Sequence, residues 1–136
     1  MRAIPSDWSG TVEPLAGGRH VLVVDDDPAL LRLVSHWLRD GGFSVTACDS
    51  FAEGKRQLAA GAPDVLLTDV RLGPFNGLQL VILAREQHPS TQAVVMSAYD
   101  DPALRQEAAR CGATYLVKPF SSEAVLASVS NLDTTH

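Results

Sequence analysis

Apolar positions along this chain follow two periods, and the periods alternate. Val21 to Val24 form an unbroken apolar run, introduced by His20 and closed by an acid, which predicts a strand over His20 to Asp25. From Pro28 the spacing changes. Leu30, Val34, Trp37 and Leu38 recur at helical intervals, Asp27 stands as the cap before Pro28, and Gly41-Gly42 ends the helix. Ser44 to Cys48 reads as a short second strand, and Ser50 to Ala60 as a helix weakened by Gly54 in its interior. Pro63 to Asp69, "PDVLLTD", is a third strand that again ends on an acid. "RLGPFNG", Arg71 to Gly77, is turn chemistry. A helix over Leu78 to Gln87 stops before Pro89, and Gln92 to Ser97 is the fourth strand. Asp101-Pro102 repeats the cap-then-proline pair and opens a helix to Cys111, ahead of Gly112. Ala113 to Val117 is the fifth strand. Lys118-Pro119-Phe120 is a loop, and Ser121 or Ser122 caps a last helix reaching about Asn131.

Strands alternating with helices predict an α/β fold, a parallel sheet covered by helices on both faces. Strands one, three, four and five are apolar without alternation, as burial on both sides requires. Strand two is shorter and more polar, which puts it at an edge beside a central strand one. With right-handed crossovers this gives a doubly wound five-stranded sheet of order 2-1-3-4-5, the flavodoxin-like arrangement. The domain is expected over residues 20–131, between a flexible leader over 1–19, rich in proline and glycine, and a tail over 132–136.

Composition narrows the function. The 136 residues suit one domain, and a 46% apolar content suits a packed core. The net charge is −5 with the basic residues scattered, so there is no basic stripe for direct nucleic-acid binding. No apolar run approaches the length of a membrane span, and the N-terminus lacks a signal peptide's pattern. Cys48 and Cys111 make no disulfide framework and read as small buried hydrophobes; a reducing cytoplasm is expected.

Three consecutive acids at the end of an apolar strand need an explanation. Two carboxylates about 4 Å apart repel by roughly 4 kcal/mol at an effective dielectric near 20. In a doubly wound sheet the functional crevice lies outside the carboxyl ends of the strands where the order reverses, here between strands one and three. That topology brings Asp25 and Asp26 beside Asp69, with Ser97 ending strand four and Lys118 following strand five. Three carboxylates with oxygen-rich turns suit a hard divalent cation such as magnesium. With the repulsion neutralised, Asp69 can act as a nucleophile towards phosphorus, and a hydroxyl and an ammonium at the neighbouring strand ends can hold phosphoryl oxygens. Asp27 caps the first helix and stays outside the metal shell.

Four segments, "VLVVDDDP", "DVLLTDVRLGPFNG", "VVMSAYDD" and "ATYLVKPF", resemble the conserved blocks of the response-regulator receiver domain, the phosphoacceptor module of two-component signalling. The resemblance covers about His20 to Asn131. It implies that Asp69 is the phosphoacceptor and that Asp25, Asp26, Asp69 and the backbone carbonyl of Arg71 bind Mg2+, or Mn2+ in its place. Ser97 would be the switch hydroxyl, Lys118 the phosphoryl-binding lysine and Tyr115 the aromatic switch. Arg71 and Tyr99 would gate the water that removes the phosphoryl group. Pro119 would follow Lys118 through a cis bond that aims the lysine into the crevice. One departure stands out: the loop after the phosphoacceptor usually reads proline then glycine, and here it reads Gly73-Pro74.

The resemblance implies a phosphorelay module rather than an enzyme, catalysing only its own phosphorylation and dephosphorylation. Its partners would be a histidine kinase or a histidine phosphotransfer protein, and a second copy could pair through the fourth helix, fifth strand and fifth helix. A magnesium-dependent phosphatase with an aspartate nucleophile is the rival, but it needs a proton donor two residues after the nucleophile, where Arg71 stands. A degenerate receiver used only for docking is argued against by the intact acids, hydroxyl and lysine. No stretch long enough for an output domain follows Asn131, so a stand-alone receiver or a fragment of a longer regulator is expected.

Overall fold

Val21, Leu22, Val23 and Val24 are all buried, because this strand has a neighbour on each edge and helices on each face. The computed structural model describes residues 19–118 and 121–130. Along the chain come β1 (His20–Val24), α1 (Pro28–Asp40), β2 (Ser44–Cys48), α2 (Phe51–Ala60), β3 (Val65–Asp69), β4 (Arg71–Leu72), β5 (Phe75–Asn76), α3 (Leu78–Gln87), β6 (Gln92–Ser97), α4 (Pro102–Arg110), β7 (Ala113–Val117) and α5 (Ser122–Ser130). The main sheet is parallel in the order β2-β1-β3-β6-β7, which is the predicted 2-1-3-4-5 with two short strands inserted in the numbering.

Successive side chains on the central strands feed two separate cores. Leu22, Val24, Leu66 and Val95 pack with Leu58 of α2, Leu80 and Val81 of α3 and Ala108 of α4. Val21, Val23, Val65, Leu67 and Met96 pack on the other face with Val34 and Leu38 of α1 and Val125 and Val129 of α5. Complete burial of β3, with five of five residues buried, marks it as the centre of the sheet.

The predicted caps hold. Asp27 Oδ1 accepts from the N–H groups of Ala29 and Leu30, and Asp101 Oδ1 from those of Ala103 and Leu104. Ser50 is the cap of α2 rather than its first helical residue, and Ser121, not Ser122, accepts from Ala124 N–H. Gly54 is more than a weak point: a Cβ there would lie 3.0 Å from Val24 and 3.1 Å from Leu80, so the missing side chain lets α2 lie close to the sheet.

Two expectations need correction. β7 was expected to be buried on both faces like β3, yet its residues are half-buried or exposed. It is the other edge strand, so it lacks one neighbour and part of its cover. The segment from Arg71 to Gly77, expected as a turn alone, contains an antiparallel hairpin pairing Arg71 with Asn76 and Leu72 with Phe75. Gly73 has φ 61° and no non-glycine residue described has positive φ, so Gly73-Pro74 forms a type II′ turn. The reversed glycine–proline order is what that turn requires, with glycine first. The Lys118–Pro119 bond, residues 1–18 of the expected leader (1–19) and the expected tail over 132–136 lie outside the described residues.

Candidate functional site

β1 and β3 are hydrogen-bonded neighbours running in the same direction, so their ends bring Asp25, Asp26 and Asp69 together. One ligand oxygen from each lies within 4.8 Å of the others. The ladders continue one residue past the strands and fix the positions of these ends. Asp25 N–H donates to Cys48 O, Val70 N–H to Met96 O, and Lys118 N–H to Ser97 O.

Asp25 is 0% exposed, and its Oδ1 accepts from Asp27 N–H at 2.9 Å. Its Oδ2 is buried with no hydrogen-bond partner. Burial pushes the Asp25 carboxyl up to about 6, and the neighbouring Asp69 and Asp26 charges add to the rise, while the Asp27 amide and the Lys118 ammonium oppose it. Asp69 is buried and likewise raised, mainly by burial, with Lys118 pulling the other way. Asp26 is exposed and accepts from Gly73 N–H at 2.9 Å.

Lys118 Nζ donates to Asp69 Oδ2 at 3.2 Å and lies 3.6 Å from Asp25 Oδ2. One ammonium thus reaches two of the three clustered carboxylates, Asp25 and Asp69. The uncompensated charge and the orphaned Asp25 oxygen are what a cation would satisfy, and an all-carboxylate donor set suits a hard one.

The same groove takes in Ser97, Arg71 and Tyr99 beside Asp69 and Lys118. Ser97 is buried; its Oγ accepts from Tyr99 N–H at 3.2 Å, which leaves its own proton for donation. Arg71 is exposed at the start of β4, and Tyr99 is 67% exposed. Tyr115 lies outside the groove lining. It is half-buried, and its hydroxyl donates to Tyr99 O at 2.6 Å. Arg105 of α4 lies 4.8 Å over the Tyr115 ring and pairs with Asp100 at 2.6 Å. Asp27 is drawn away by its capping role, as expected.

Sequence reasoning overlooked Gly77. A Cβ there would stand 1.9 Å from the carbonyl oxygen of Asp69, and Gly77 N–H donates to Val70 O. The available signal was a glycine immediately before a helix that must start hard against β3. Thr68, buried with its Oγ1 donating to Asp69 O, was also passed over, because its position inside an apolar run reads only as strand.

Comparison with known proteins bears on the family and the fold. Residues 21–130 match the response regulator receiver domain family. The chain is 36% identical over 112 residues to the photosynthetic apparatus regulatory protein RegA of Cereibacter sphaeroides, covering 82% of this chain and 61% of that one. It is 32% identical over 126 residues to the acid tolerance regulatory protein ActR of Sinorhizobium medicae, covering 92% of this chain and 65% of the relative. The chain thus spans less than two thirds of either relative. A solved response regulator receiver protein from Sinorhizobium medicae superposes with a TM-score of 0.77 at 33% identity, covering 87% of this chain and 96% of that one.

Proposed function

The chain belongs to the response regulator receiver domain family, and from that premise we propose that Asp69 accepts a phosphoryl group from a phosphohistidine on a histidine kinase or a histidine phosphotransfer protein. The observation that carries this reading is the buried Asp69 carboxylate, 3.2 Å from the Lys118 ammonium and beside two further acids at the strand-order reversal. An Asp69 oxygen bonds to phosphorus as the P–N bond breaks; the imidazole keeps the electron pair and takes up a proton. Asp25, Asp26, Asp69 and the Arg71 carbonyl would hold Mg2+, with Mn2+ as a substitute. Such an ion, when bound, offsets the charge of the acids and of the phosphoryl oxygens. Lys118 balances the charge that shifts onto the transferred group, and the Ser97 hydroxyl donates to one of its oxygens.

The Arg71 and Tyr99 side chains, at the rim of the groove, obstruct the water that would attack the acyl phosphate, which makes self-dephosphorylation slow. The domain turns over no separate substrate, and Arg71 cannot supply the proton an aspartate-based phosphatase needs. No helix among the described residues is long and apolar enough to cross a membrane. Exchange with a kinase's cytoplasmic portion places this reading in the cytoplasm. A second copy docking on α4, β7 and α5 is the homodimer that accompanies it.

Intact-mass spectrometry after incubation with acetyl phosphate tests the assignment. One phosphoryl addition is expected with Mg2+, none with a chelator and none in Asp69→Asn. Equal labelling of wild type and Asp69→Asn overturns it. Replacing Arg71 and Tyr99 with alanine should hasten loss of the added mass.

A further inference from the structure

The β4–β5 hairpin touches the acid cluster through its tip. Gly73, held at φ 61°, donates its N–H to Asp26 Oδ2 at 2.9 Å. Asp26 is exposed, so this bond is what ties its carboxylate to a backbone. The hairpin cannot hold that position unaided. Its strands are two residues each, and a pair that short is not stable alone. On the β4 side, Leu72 is buried in the core against α2 and α3. On the β5 side both Phe75 and Asn76 are exposed. There Asn76 Oδ1 accepts from Leu78 N–H at 2.9 Å, which ties the hairpin's end to α3, and the contact with α2 is an aromatic one. The Phe75 ring stacks on Phe51, the first residue of α2, with centroids 4.6 Å apart and planes 12° from parallel. Phe75 stays 49% exposed, so its place is not explained by core burial.

We infer that Phe75 is a positioning residue for the cation site: stacked on Phe51, it fastens the hairpin to α2, so that Gly73 N–H orients the Asp26 carboxylate and β4 presents the Arg71 carbonyl. The inference rests on the reading of Asp25, Asp26 and Asp69 as a Mg2+ site. Aromatic pairing of this kind changes an equilibrium about two- to twelvefold. Phe75→Ala should weaken Mg2+ binding by that factor, and Phe75→Tyr, which keeps the stacked ring, should restore it. Since Phe75 is half-exposed, the fold itself should tolerate both.

Isothermal titration of the full chain with MgCl2 provides the test, using wild type, Phe75→Ala, Phe75→Leu, Phe75→Tyr, Phe51→Ala, the Phe51→Ala/Phe75→Ala double variant and Asp26→Asn. Expected results are weakened binding for Phe75→Ala and Phe75→Leu, wild-type binding for Phe75→Tyr, and a double variant no weaker than its weaker parent, because both rings act through one contact. Gly73 amide exchange should quicken in Phe75→Ala without magnesium present, a readout that needs no phosphorylation. Wild-type affinity in both Phe75→Ala and Phe75→Leu overturns the inference, as do Phe51 and Phe75 effects that multiply. If wild type and Asp26→Asn titrate alike, the Mg2+ site itself is what fails, whatever Phe75 does.

Discussion

Asp25 has its carboxyl pushed up to about 6 by burial, and this makes the metal-free protein sensitive to pH. A carboxyl raised by folding stabilises the fold while protonated. That stability is present in full below the unfolded value of 3.8 and is lost as pH rises through about 6. The loss attributable to Asp25 is about 3 kcal/mol, and Asp69, raised by burial as well, acts in the same direction. Urea unfolding in EDTA from pH 4 to 7.5 should show the decline, and Asp25→Asn should flatten it. Stability that is as steep in Asp25→Asn as in wild type would assign the decline to other groups. Magnesium should raise the melting temperature more at pH 7.5 than at pH 4.5, where the Asp25 carboxyl is protonated. At this scale the sequence singled out Asp25, Asp26, Asp69, Ser97 and Lys118 because each sits where an apolar run stops. It could not separate the buried Asp25 from the exposed Asp26, which are adjacent and identical in type; only the strand's end geometry turns one inward.

Elements reach the site through close approach, and glycines mark where. α3 begins against β3, and a Cβ on Gly77 would lie 1.9 Å from backbone, which cannot swing aside like a flexible side chain. Gly77→Ala should cost more than about 3 kcal/mol and reduce labelling by acetyl phosphate. Gly61, at the end of α2, is a contrast: φ is −178° and nothing lies within 4 Å of an added Cβ. Gly61→Ala should be neutral or stabilise by up to about 1 kcal/mol, chiefly by restricting the unfolded chain. Paired urea titrations check both, and equal effects would show that α3 does not depend on this approach. Helix boundaries were readable because caps are local: the carboxylates of Asp27 and Asp101 each accept from amides two and three residues on. The β4–β5 hairpin was not, because two-residue strands are too short to show a period. Gly73-Pro74 carried the turn signal, but a turn's neighbours pair only when something holds them, and here Leu72 and Phe75 are held by contacts with distant residues.

Across the whole molecule, Tyr99 links the site to the face formed by α4, β7 and α5. Its N–H donates to Ser97 and its carbonyl accepts from Tyr115, whose ring lies under Arg105 of α4. A phosphoryl group on Asp69 adds about −1.5 to −2 charge, and Ser97 turning to donate to it would release Tyr99 N–H and disturb the Tyr115 contact. The shift is bounded by the differential contacts of the two states. With beryllofluoride standing in for the phosphoryl group, NMR shifts should concentrate at Ser97, Ala98, Tyr115 and residues 101–117. Ser97→Ala should keep phosphorylation and lose the distant shifts. Changes confined to Asp25, Asp26, Asp69 and Lys118 would overturn this route.

The sequence by itself determined the alternation of strands and helices, the sheet order and the convergence of acids at the strand-order reversal. Each of these follows from local period, local capping and the limited number of ways a right-handed parallel sheet can be wound. Tertiary structure alone decided which acid is buried, that Gly77 must lack a side chain, that β7 is left only half-covered, and that Phe51 and Phe75 meet. Those properties depend on distances between residues remote in sequence, and a one-dimensional pattern records what a residue prefers but not what packs against it.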